Sequence, residues 1–214
     1  MYLSQLLLNP AEAHVHRDLA NPYELHRTIM CAFPTPLPQE ERVLFRIETN
    51  HNSAKTIVLI QSVTQPNWEK VQQKKDNYFA CFPELRSLDN LNIKAGDRLR
   101  FRLRANPSKR VYYAKKEKSQ RISLFSENDR LEWIVRKAEK GGFIVSPENL
   151  LVCDAPYRTM FVAREEKKHK ATINMVDYDG VLQVINVDNF LLCMQQGIGP
   201  AKGLGCGLLS VARI

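Results

Sequence analysis

Several features are missing from this sequence, and each absence removes a class of function. The five cysteines (Cys31, Cys81, Cys153, Cys193 and Cys206) are scattered, with no CxxC pair. Neither a disulfide framework nor a cysteine zinc site is expected, and such a set suits reduced thiols in the cytoplasm. There is no HExxH, no paired-carboxylate motif and no Cys/His cluster, so neither a metal nor a cysteine nucleophile is indicated. No apolar run approaches the roughly 20 residues that cross a bilayer. The opening MYLSQLLLNPAEAH lacks the basic lead and small-residue cleavage site of a signal peptide. Glycine is scarce too: nine occur in 214 residues, yet five of the nine fall between Gly197 and Gly207.

What the chain does have is positive charge in one place. The net charge is +8, while residues 94–121 alone carry +9, with eleven Lys/Arg against Asp97 and Glu117. The remainder sums to −1. Such concentration points to a polyanionic partner, RNA or DNA before membrane, because no amphipathic basic helix accompanies it. Hydrophobic residues make up 44% of the chain, enough for a packed core.

Within the basic segment, RLRFRLRA alternates strictly. As a strand it sends Arg98, Arg100, Arg102 and Arg104 to one face and Leu99, Phe101 and Leu103 to the other. Same-face neighbours lie about 7 Å apart, close to the spacing of successive phosphates on a single strand. Four like charges on one face repel. A polyanion relieves that repulsion; so would acids on neighbouring strands. NPSKR adds Lys109 and Arg110 in a turn, and YYAKKEKSQR continues the charge without a helical stripe. That composition suits a segment left unordered without a ligand.

The remaining pattern divides in two. MYLSQLLL reads as a buried strand. NPYELHRTIMCAF (21–33) reads as a helix, capped by Asn21, with Pro22 in its first turn and Leu25, Ile29 and Met30 as its apolar stripe. RVLFRIET (42–49) and KTIVLIQSV (55–63) are strands, PNWEKVQQKK (66–75) a short helix and NYFACF (77–82) a further strand. Residues 83–97 read as a linker. After the arginine strand come the helix SENDRLEWIVRKAEKGG (126–142), the helix NVDNFLLCMQQG (186–197) and the strand LLSVARI (208–214). Both halves approximate β-α-β-β-α-β. The expected fold is therefore α+β, with tandem ferredoxin-like (RRM-like) domains over 1–88 and 96–214.

GIGPAKGLGCG, residues 197–207, first suggests a nucleotide clamp. Such clamps need a helix after the glycines, whose N-terminal amides hold the phosphate. Only seven residues follow Gly207, and they are strand-like. A small-molecule cofactor is therefore not expected. The loop is a helix-to-strand connection whose glycines allow close approach, either of RNA or of the protein's own helices.

Three stretches together resemble one family: ANPYELHRT (20–28), RLRFRLRANPSKR (98–110) and GIGPAKGLGCGLLS (197–210). The chain is similar across its length to the CasE family of CRISPR-associated endoribonucleases, the crRNA-processing subunits of type I-E Cascade complexes. The resemblance implies metal-independent cleavage of a CRISPR repeat RNA stem-loop. The 2′-hydroxyl attacks the adjacent phosphate and leaves a 2′,3′-cyclic phosphate. Repeat RNA and other Cascade subunits are the implied partners. A non-catalytic hairpin-binding scaffold of the same fold is the alternative.

By the same resemblance, Tyr23 and His26 are the candidate catalytic residues. His26 falls three residues after Tyr23, so a helix puts both on one face, and histidine titrates near neutrality. His26 serves as base or acid; Tyr23 orients the 2′-hydroxyl or stabilises the transition state. Arg27, Arg102, Arg104, Lys109, Arg110 and Lys202 are candidate RNA-binding residues. YRTMFVAREEKKHKATI resembles the hairpin that family members set against the stem base, which nominates Arg158, Arg164, Lys167 and Lys168. His14 and His16 are assigned to a strand face or a loop, and with His51 and His169 receive no role.

Overall fold

The computed structural model describes residues 1–50, 55–113, 118–155, 158–164 and 167–214, without the side chains of 49, 50, 113, 118, 158–164 and 167–172. The N-terminal half runs β1 (Tyr2–Leu7), α1 (Ala13–Ala20), α2 (Pro22–Met30), β2 (Leu44–Asn50), β3 (Lys55–Ser62), α3 (Glu69–Lys74) and β4 (Glu84–Ser87). Its strands form one antiparallel sheet in the order β2-β3-β1-β4. Numbered within the half, that is 2-3-1-4, the ferredoxin-like arrangement.

The C-terminal half repeats the plan with two insertions. β5 (Arg98–Ala105) leads into a hairpin of β6 (Ser108–Tyr113) and β7 (Lys118–Ser123), then α4 (Glu127–Lys140), β8 (Phe143–Val145) and β9 (Leu151–Asp154). A second hairpin, β10 (Arg158–Arg164) and β11 (Lys167–Ile173), precedes β12 (Val176–Val184), α5 (Val187–Gln196) and β13 (Leu209–Arg213). The sheet order is β13-β5-β12-β8, with β9 also pairing β12. Each half has its own buried cluster: one around Leu6, Leu25, Phe45 and Ile60, the other around Phe101, Leu103, Trp133 and Phe190.

Three details differ from the sequence-based expectation. First, His14 and His16 lie on α1, a helix that the pattern did not reveal. Its buried side holds only Val15 and Asp18, too little for an apolar stripe. It ends at Asn21 because Pro22 disfavours helical backbone at the residue before it; Asn21 is extended, at φ −130 and ψ 100.

Second, the last strand of the first half is Glu84–Ser87, inside the stretch read as a linker, and not 77–82. Phe79 makes a single bridge to Leu8. Tyr78 and Phe79 are buried because their rings pack edge-to-face at 5.4 Å and the Tyr78 hydroxyl bonds Asp18. Apolar burial there reflects packing under the helices, not a ladder.

Third, the basic segment after β5 pairs as a hairpin, Ser108–Tyr113 on Lys118–Ser123. Residues 114–117, including Lys115 and Lys116, lie outside the described residues, as does His51.

Candidate active site

Helix α2 is built locally. The Asn21 side chain accepts a hydrogen bond from the Tyr23 amide at 3.2 Å, filling one of the orphan donors at the helix start. Pro22 sits where its missing N–H is no loss. Leu25 and Ile29 are fully buried and fix the inner face. Tyr23 and His26 share the adjoining face, three residues apart.

Tertiary structure then closes around His26. Its ring lies over Phe45 of β2, centroids 6.1 Å apart and nearly parallel. From the other end of the chain, the glycine loop arrives above it. A Cβ added at Gly203 would stand 3.5 Å from His26 Nε2, so the bare backbone there leaves room for about one methyl group before the imidazole is touched. Nδ1 is buried with no hydrogen-bond partner. Burial lowers the His26 pKa from its ordinary value, because a desolvated ring resists taking up a proton. The imidazole is therefore neutral at pH 7.

The glycine loop holds this position by its own bonding. Gly197, Gly199, Gly205 and Gly207 have φ between +72 and +92, a region that disfavours other residues. Ile198 N–H donates to Gly207 C=O at 2.9 Å, and Gly207 N–H to Arg104 C=O at 2.7 Å. The loop thus closes on itself and on β5. Lys202, in a single 3-10 turn, donates to Gln196 C=O at 2.5 Å, and burial and the nearby Arg42 lower its pKa.

A buried polar hub supports α2 from behind. Asp18 Oδ2 accepts from Thr28 Oγ1 at 2.6 Å, Lys75 Nζ at 2.5 Å and Tyr78 OH at 2.9 Å. Burial alone would raise the Asp18 pKa. The bonds from Lys75, Thr28 and Tyr78 outweigh that, and the carboxyl is held below its ordinary value. The hub ties α1, α2 and the segment after α3 together, so the helix bearing Tyr23 and His26 cannot roll freely.

The candidate cations divide sharply. Arg104 is locked: Nε and Nη2 grip the Asp177 carboxylate at 2.7 Å each, and Nη1 donates to Ile47 C=O at 2.9 Å. Arg102 pairs with Asp179 at 2.7 Å and with Glu48 at 3.4 Å. Acids from β12 and β2 thus meet these two arginines. Arg98 and Arg100 are exposed and pair with no described acid. Arg27 meets Glu24 at 3.2 Å on the exposed side of α2, a pair worth only about 0.2–0.5 kcal/mol and easily surrendered to a phosphate. Lys109 and Arg110 are exposed on β6. Arg158 and Arg164 fall on β10, and Lys167 and Lys168 on β11, opposite Arg164 and Ala163; β10 runs near α2. Their side chains lie outside the description. Among the described residues, no three His, Cys, Asp or Glu side chains converge as a metal-ligand set.

One residue that sequence reasoning missed joins the two halves. Arg46 is 2% exposed. It donates to Glu48 Oε1 at 2.7 Å, Arg102 C=O and Leu208 C=O at 3.1 Å each, and Ser210 Oγ at 2.7 Å. The available signal was an arginine inside the otherwise apolar VLFRI. Asp18 and Phe45 were likewise invisible, because their roles depend on partners distant in sequence.

The geometry can be set beside known proteins. A family described as CRISPR associated protein matches residues 1–213. The CRISPR-associated endoribonuclease Cse3 of Thermus thermophilus is 36% identical over 219 residues, covering 99% of this chain and 100% of the relative. The CRISPR system Cascade subunit CasE of Escherichia coli is 30% identical over 99% of each chain. A solved structure of Cse3 bound to a 19-nt RNA superposes with a TM-score of 0.85 at 34% identity, covering 99% of this chain and 100% of that one.

Proposed function

The chain belongs to the CRISPR-associated protein family that includes Cse3 and CasE, and from that premise we propose that it is an endoribonuclease that cuts the stem-loop of CRISPR repeat RNA without a metal ion. Family membership and the names of its relatives support the activity class. The observation that carries the chemistry is His26, a neutral, half-buried imidazole on the same helix face as Tyr23, under the bare backbone of Gly203.

Cleavage by the RNA's own 2′-hydroxyl needs a base at that oxygen, an acid at the departing 5′-oxygen and positive charge beside the phosphorane. His26, neutral at pH 7, takes the 2′-proton. The 2′-oxygen bonds to phosphorus, the bond to the 5′-oxygen breaks, that oxygen takes a proton from the His26 imidazolium or from water, and a 2′,3′-cyclic phosphate and a 5′-hydroxyl result. The Tyr23 hydroxyl hydrogen-bonds the phosphorane, and Arg27 leaves Glu24 to meet its charge. The hairpin product stays bound, within the kind of complex of which the Escherichia coli relative is named a subunit. The five free cysteines suit a reducing cytoplasm.

The test is incubation with the cognate repeat hairpin in EDTA. The expected products carry the cyclic phosphate and the 5′-hydroxyl, and a 2′-deoxy substitution at the scissile nucleotide abolishes cleavage while sparing binding. Tight binding without cleavage would make the protein a scaffold. Full cleavage of the deoxy RNA would remove the mechanism.

A further inference from the structure

The free positive charge of this protein is not confined to Arg98 and Arg100 of the alternating strand. Arg46, Arg102 and Arg104 are paired with acids. A different set has no acid to meet. Arg42 before β2, Arg121 on β7, Arg136, Lys137 and Lys140 on α4, and Lys202 in the glycine loop make no ion pair with any described acid.

Two of these side chains, Lys137 and Lys140, line one groove. Lys137, Lys140, Gly141, Gln196, Gly197 and Gly199 line a cavity of about 250 Å³ between the end of α4, α5 and the start of the glycine loop. Lys137 and Lys140 are three residues apart and share a face of α4. Lys137 Nζ stands 5.7 Å from the centre of the Trp133 ring. Burial, then the nearness of Lys140, Arg121 and Arg136, lowers the Lys137 pKa, and Lys202 responds in the same way to burial, Arg42 and Lys137. The floor is bare backbone, because packing demands glycine: a Cβ at Gly199 would stand 2.9 Å from Trp133, and one at Gly141 2.7 Å from Cys193 Sγ.

Helix electrostatics account for part of this. Cations in a last turn complement the macrodipole, by about 0.3–1 kcal/mol each. That explains Lys137 and Lys140. It does not explain why Arg121 on β7 and Lys202 in the glycine loop add their repulsion to Lys137 from other elements. Uncompensated convergence around an open groove is the signature of a polyanion site. The same loop serves both places: it forms the groove wall at Gly197–Gly199 and lies beside His26 four residues later, at Gly203.

We propose that the α4–α5 groove is a track for the RNA backbone flanking the hairpin, holding its phosphates on Lys137 and Lys140 and delivering the strand past Lys202 to His26. The proposal rests on the endoribonuclease reading and extends it to the footprint of the RNA.

The experiment compares the wild-type protein with Lys137→Gln/Lys140→Gln and Lys137→Arg/Lys140→Arg. Fluorescence anisotropy measures binding of three RNAs: the hairpin alone, the hairpin extended by single strand on its 5′ or 3′ side, and the single strand alone. Hairpin cleavage is the reference. In the wild type, one extension is expected to tighten binding several-fold, with a steeper salt dependence. The Gln pair loses that gain, and with two phosphate contacts gone the slope of log K against log salt falls by about 1.4, at about 0.7 per contact. The Arg pair keeps it. If the wild type and the Gln pair bind every RNA alike, as they would were the groove a seat for an acidic protein, the proposal is overturned. Failure of the wild type to bind or cut the hairpin would instead sink the endoribonuclease reading, and the single strand alone would still decide the track.

Discussion

Gly203 packs against His26, with room for a Cβ at 3.5 Å from Nε2 and for little more. The contact makes a graded prediction. Alanine fits at ordinary van der Waals distance, so Gly203→Ala is expected to cleave within about threefold of wild type. Gly203→Val drives a branched side chain at the imidazole, and a displacement of about 1 Å at a catalytic group can lower the rate by about 10². Single-turnover cleavage measures both, and hairpin affinity serves as the control. Equal rates for Ala and Val would show that the loop does not confine His26.

The lowered pKa of His26 sets a pH profile. A base must be deprotonated to act. Below its pKa His26 is charged and inactive; above it the ring is neutral and competent. Because burial moves that pKa under the ordinary histidine value of about 6.5, kcat/KM is expected to rise through an inflection below pH 6.5 and to be flat by pH 7. His26→Ala should lower the rate by about 10²–10⁴ and erase the inflection. A rate that falls with rising pH in this range would make His26 the acid.

Asp18 predicts a stability effect with its own pH signature. Asp18→Asn removes a buried charge and leaves Lys75 without its partner, a change expected to destabilise by about 3 kcal/mol. The sign follows from the depressed folded pKa. The unfolded carboxylate takes up its proton near pH 3.9, whereas the folded one resists. The contribution is therefore complete at neutral pH and is lost as pH falls through the folded pKa. Urea unfolding at pH 7 should separate wild type from Asp18→Asn, and the gap should narrow as the pH drops below 4.

Arg46 predicts how firmly the two halves are joined. Arg46→Ala takes away the guanidinium donors that Glu48 Oε1, two carbonyls and the Ser210 hydroxyl accept from. About 3 kcal/mol is expected to be lost, which lowers the Tm of a chain of this size by roughly 6–12 °C. Lysine has too few donors in the right fork to replace it, so Arg46→Lys should recover only part. Calorimetry reads the outcome, and a shift under 2 °C would remove Arg46 from this role.

Features within a few residues of one another were legible in the sequence. The cap at Asn21, the proline after it, the stripe of α2 and the Tyr23/His26 pair depend only on helical geometry. The alternation of RLRFRLRA announced β5, and Ser126 announced α4. The strand after the glycine run, β13, was legible from LLSVARI. Short or weakly patterned pieces were not legible. α1 buries too few apolar groups to show a stripe, and Glu84–Ser87 is a polar edge strand that only its pairing with β1 reveals.

The site divides along the same line. The sequence by itself put Tyr23 and His26 on one helix face, because such a face is set by neighbours three and four positions away; the resemblance of ANPYELHRT made them the acid–base candidates. Only the tertiary structure decided that Gly203 lies against His26, that burial keeps the imidazole neutral and that Asp18 braces α2. It also decided which charges remain available. Four arginines on one strand look alike in sequence, but Asp177, Asp179 and Glu48 reach only Arg102 and Arg104. The pairing of a charge depends on the acids that folding brings beside it, and a linear pattern does not contain that competition.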